Sequence, residues 1–150
     1  MFAALACLLA FAPPGRRIAA GLFALTAAFA VVQMPLPRGS IEIVFIGCWA
    51  SLVATAVTVH FGRRLTGYRP VMLAVNAGAW AGATVAVAGT TLDLAVASPW
   101  LALAVPGAWL AATGRGVAVK VVSSWLIAIA LLAAVLPLVP TPGYAPDHLD

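Results

Sequence analysis

The sequence predicts an all-α integral membrane protein of about six transmembrane helices, five long and one short and N-terminal, arranged in three hairpins with basic cytoplasmic turns. Three observations carry that expectation. Of 150 residues, 64% are hydrophobic and only 8% charged, where a soluble domain carries about 25% charged residues. The eight basic and four acidic residues are too few to cover the large surface of a small soluble fold. Apolar runs recur at lengths near the roughly 20 residues that cross a bilayer as a helix.

The first run, 1–12, would be about 18 Å long as a helix, short of a bilayer core of about 30 Å. It is expected either to span with local thinning or to insert halfway. MFAALACLLAFAPP lacks a positive n-region and an A-x-A cleavage site, so it reads as a helix of the mature protein. Pro13-Pro14-Gly15 ends it. The next runs are 18–36, 41–61, 71–89, 94–112 and 117–139, separated by Pro37–Ser40, Gly62–Pro70, Gly89–Thr91 and Gly114–Gly116. One membrane domain is expected over 1–140, followed by a polar exposed tail, TPGYAPDHLD, at 141–150.

Orientation follows from charge. If every run crosses once, Arg16, Arg17, Arg63, Arg64, Arg69, Arg115 and Lys120 share one side. Arg38 falls on the other with Glu42, Asp93, Asp147 and Asp150. The positive-inside rule makes the basic side cytoplasmic, so the turns at 13–17, 62–70 and 113–116 face inward and the C-terminus lies on the outer, periplasmic side. A bacterial inner membrane fits this pattern. The echo of GRR at 15–17 and 62–64 with GRG at 114–116 reads as shared turn chemistry rather than triplication.

Small residues spaced by four let membrane helices approach closely. The run 71–89 carries Ala74, Gly78, Gly82 and Ala86, with Ala20, Ala24 and Ala28, and Ala104, Ala108 and Ala112, on two others. Polar residues at membrane depth are the candidate sites. Asn76 either bonds a neighbouring helix or lines a pathway. Ser51, Thr55, Thr58, Ser123 and Ser124 read as hydroxyls bonded to carbonyls one turn back. Pro106-Gly107 is expected to break its helix and free the carbonyls near Ala102 and Leu103. Glu42 reads as an interface acid within reach of Arg38, His60 as a helix C-terminal cation, and Lys120 as a snorkelling side chain. Trp49, Trp80, Trp109 and Trp125 are expected to fill gaps between helices. Cys7 and Cys48 read as structural thiols without a disulfide or metal role.

No paired acids, Ser–His pair, metal cluster or glycine-rich phosphate loop is apparent, which argues against an enzyme, a cofactor and a nucleic-acid partner. One histidine near the bilayer, His60, is too few for haem between helices. Two functions remain. The first is a transporter or channel for an apolar or uncharged small solute, working as a homo-oligomer, with Asn76, Pro106, Gly107 and Glu42 near its pathway. The alternative is a non-catalytic structural or accessory subunit of a larger membrane complex. In either case the partners are the lipid bilayer and other copies or other membrane subunits.

Overall fold

The computed structural model describes residues 1–61 and 67–136, with Arg38 as backbone only. Arg63, Arg64 and the tail 141–150 therefore lie outside the described residues. The described chain is all helical: α1 (Phe2–Leu9), α2 (Pro14–Val32), α3 (Ile41–His60), α4 (Arg69–Ala88), α5 (Thr91–Ala97), α6 (Ala104–Ala112) and α7 (Gly116–Val135). Two 3-10 segments, Arg38–Ser40 and Ser98–Leu103, complete it.

Local chemistry sets the boundaries. Pro13 is extended and Pro14 occupies the first helical position, where a missing N–H loses nothing, so α2 starts earlier than the apolar run at 18. At the start of α5, the Asp93 carboxylate accepts from the Thr90 N–H at 2.7 Å and the Thr90 hydroxyl at 3.0 Å. That occupies donors a helix start otherwise leaves bare. Gly114 takes φ +79 in the turn into α7, a conformation that disfavours side chains.

Five elements are long and apolar enough to cross a membrane: α2, α3, α4, the continuous stretch Thr91–Ala112, and α7. Short connections make successive spans alternate in direction. Arg16, Arg17, Arg69, Arg115 and Lys120 consequently share one end, with Glu42 and Asp93 at the other. The helices pack in the order α2, α4, α3, α7, α6, and α5 closes back onto α4.

The short N-terminal helix is not among the elements long enough to cross. α1 has eight residues, about 12 Å of helix, and it sits inside the bundle against α3, α4, α6, α7 and the segment Ser98–Leu103. Leu5 and Leu8 are 0% exposed and anchor the main apolar core. Enclosure by protein, rather than lipid, accounts for a hydrophobic segment too short to cross.

The break in the fifth apolar run also differs from expectation. Pro106 lies within α6, and the departure from α-helix is the 3-10 segment upstream of it. Pro99 starts the change because it cannot donate to Ala95, whose carbonyl is taken instead by the Ser98 hydroxyl at 3.0 Å. A 3-10 stretch of six residues is long for its class. It contains Pro99, ends three residues before Pro106 and packs against α1.

α2 and α4 make the closest helix pair. Ala20, Ala24 and Ala28 of α2 are fully buried, as is Ala74 of α4. A Cβ on Gly78 would overlap the carbonyl oxygen of Ala24, and one on Gly82 that of Ala28. Both contacts advance by four residues in the same sense, so these two helices run parallel. The glycine stripe thus faces a partner within the chain. Ala86, at its far end, is only half-buried.

Candidate functional site

The polar side chains gather along α3 in its half nearer the basic end. Ser51 is buried on the side toward α4 and receives the Asn76 Nδ2–H at 2.6 Å. Thr58 donates to the Thr55 carbonyl at 2.6 Å. Toward α7, the buried Ser123 hydroxyl donates to the Ala56 carbonyl at 2.8 Å. One turn closer to the end, His60 Nε2 lies 3.1 Å from Ser124 Oγ. The Ser124 hydroxyl donates to the Lys120 carbonyl at 3.1 Å, so the imidazole is the donor to Ser124. Lys120 Nζ reaches the His60 carbonyl at 3.5 Å, a cation at a helix C-terminus.

This seam locks α4 and α7 to α3. Ser123 and Asn76 bond across helices instead of back to their own turn, as the sequence implied for Ser123. Two buried donors on α3, Thr55 Oγ1 and Trp49 Nε1, have no hydrogen-bond partner among the described residues. The two buried hydroxyls predict opposite outcomes. Ser123→Ala is expected to lower detergent-phase stability by about 0.5–1 kcal/mol, the usual size of an interhelical hydrogen bond in a membrane protein. Thr55→Val replaces an unpaired buried hydroxyl by a methyl of the same shape and is expected to raise stability by about 1 kcal/mol. Thermal unfolding of both variants in one detergent checks the signs.

The residues expected near a pathway are not brought together. Asn76 is exposed on the wall beside Ser51, Pro106 is exposed on α6, and Glu42 is exposed in the first turn of α3 at the acidic end. Gly107 faces α1 instead, where an added Cβ would stand 3.0 Å from the Ala10 Cβ. Arg16, Arg69 and Arg115 are exposed at the basic end.

Arg17 has a second role beyond topology. Its Nε donates to the Leu9 carbonyl at 3.0 Å and its Nη2 to the Ala12 carbonyl at 2.9 Å, which clamps the C-terminal end of α1. The signal for this was present in Pro13-Pro14, which removes two N–H donors next to a helix end.

The tryptophans divide. Trp80 packs over Gly47, where a Cβ would overlap its ring, and Trp49 meets Phe45 edge-on with centroids 5.6 Å apart. Trp109 and Trp125 do not fill gaps: they stand outward, Trp125 being 72% exposed. An open cleft lined by Ile46, Trp49, Ala50, Val53, Ala130 and Ala134 separates α3 from α7 and presents almost wholly apolar walls. Cys7 is buried and Cys48 half-buried, both as free thiols. Among the described residues no three His, Cys, Asp or Glu side chains cluster.

Fold and polar seam together define a helical protein with five spans apolar enough for a membrane and an enclosed N-terminal helix. No family model matches the chain, and comparison with curated proteins and with solved structures likewise gives no match.

Proposed function

We propose that this chain is a non-catalytic structural subunit of a membrane assembly, inserted with its basic end in the cytoplasm of a bacterial inner membrane. One observation carries the reading: the centre of the bundle is occupied by α1, whose inward residues are apolar and fully buried. A permeation unit needs a lumen or a groove with polar lining. Here the polar side chains are spent on holding α3 to α4 and α7. The outer wall, by contrast, carries Trp109, Trp125 and the apolar cleft beside Trp49, features that helices of other subunits can pack against.

The second reading, passage of an apolar or uncharged solute between copies of a homo-oligomer, is favoured by the exposure of Asn76. Native mass spectrometry after mild extraction from the protein's own membrane separates the two. Stoichiometric co-purification of different polypeptides is expected. A homo-oligomer alone, with solute flux after reconstitution, would replace this reading by the transporter one.

A further inference from the structure

Asn76 leaves most of its hydrogen-bonding capacity on the outer wall. Its Nδ2 donates to Ser51, yet the residue is exposed, and among the described residues no partner meets its Oδ1 or its second N–H. It stands seven residues into α4, about 10 Å from the basic end of the helix. Apolar neighbours surround it there, with Met72 and Val75 both exposed. A carboxamide facing hydrocarbon is strongly unfavourable, so this face calls for a polar partner.

We propose that the partner is a second copy of this chain, with α4 packed against α4 and the two Asn76 carboxamides hydrogen-bonded to each other. A carboxamide is both donor and acceptor and is therefore complementary to itself. Two copies inserted in the same sense are related by an axis along the membrane normal, which brings Asn76 opposite Asn76 at one depth. A different protein would have to present its own donor and acceptor at that level; symmetry supplies both. Ala79, three residues on, is small and half-buried, which lets the two backbones approach. The Gly78 and Gly82 stripe is already covered by α2, so the contact uses another face of the helix. The inference rests on the membrane placement proposed above and on neither of the two functional readings.

The test is oxidative cross-linking in native membranes, in a Cys7→Ala, Cys48→Ala background. Single cysteines are placed by Met72→Cys, by Ala79→Cys, and by Val121→Cys on α7 as the reference. Covalent homodimers are expected at 72 or 79 and not at 121. Adding Asn76→Leu is expected to lower the dimer fraction roughly three- to tenfold, in line with interhelical hydrogen bonds in membranes. Ser51→Ala, which removes only the bond within the chain, is expected to leave it intact, and Asn76→Gln to retain part of it. Several results would overturn the proposal: equal cross-linking at all three positions, none at 72 and 79, cross-linking to a different polypeptide instead, or a dimer indifferent to Asn76→Leu. Alkaline carbonate extraction of the same membranes reports on insertion separately. Release of the protein by carbonate would overturn the membrane placement and this dimer with it.

Discussion

A single methyl group at position 78 is expected to force α2 and α4 apart. The Cβ of Gly78→Ala would overlap the Ala24 carbonyl oxygen and lie 2.7 Å from the carbonyl carbon and 2.8 Å from the Cα. Those atoms belong to helix backbone, so no side-chain rotation relieves the overlap. Overpacking of this kind costs about 1–3 kcal/mol, and a backbone neighbour puts the expectation at the upper end. For a chain of this size that corresponds to a fall in Tm of about 5–10 °C. Gly82→Ala, which meets Ala28 in the same way, is expected to behave alike, and Gly82→Leu to be worse. Gly21, on α2, is the internal comparison: nothing lies within 4 Å of its Cβ position. Gly21→Ala therefore removes a helix-weakening glycine without a clash and is expected to hold or raise Tm, by up to about 1 kcal/mol of stability. Thermal unfolding of the three alanine variants in one detergent decides the matter. Equal Tm values for positions 21 and 78 would refute close packing of α2 on α4.

Much of this architecture was readable before any coordinates. The long apolar runs match the five membrane-length helices to within a few residues, because length and hydropathy are local properties. The spacing of Gly78 and Gly82 marked a close-approach stripe for the same reason. What it faced was not readable, since alanine stripes on two other runs were equally good partners. Hydropathy also could not place residues 1–12. It measures how strongly a segment leaves water, and Leu5 and Leu8 leave it equally well for lipid or for the middle of a bundle. Pro106 was singled out because it falls within the apolar run 94–112, where a proline removes a backbone bond, but Pro99 acts first and tightens the helix ahead of it. Asn76 and Ser51 were each visible as polar residues. Their bond joins positions 25 residues apart and exists only once α3 and α4 are side by side. Trp109 and Trp125 were assigned to gaps on residue type alone, and which side of a helix faces inward depends on neighbours that the run itself does not name.

The clamp on α1 leads to the other large effect. α1 ends where Pro13 and Pro14 follow, and a proline nitrogen cannot donate to the carbonyls of Leu9 and Ala10 one turn earlier. Leu9 and Ala12 are buried, and the Leu9 carbonyl also accepts from the Ala12 N–H at 3.0 Å. The Ala12 carbonyl is therefore the one that needs a side-chain donor, at a cost of about 1–3 kcal/mol if it has none. Arg17 meets this need by reaching back eight residues to Leu9 and five to Ala12, with two nitrogens of one planar group. Its positive charge also lies at the C-terminal, electronegative end of α1. Arg17→Leu removes both donors and the charge together. The expected loss is about 1–3 kcal/mol, enough to loosen the end of the helix around which the other long helices pack. Arg17→Lys keeps the charge but presents a single ammonium in place of the fork, and is expected to recover about half of that loss. The contrasting variant is Arg16→Leu, whose side chain is exposed at the same turn and removes the same formal charge from the same end. If Arg17 served topology alone, the two leucine variants would unfold at the same temperature. The clamp requires Arg17→Leu to unfold well below Arg16→Leu, with residues 1–12 becoming open to protease before the rest of the chain.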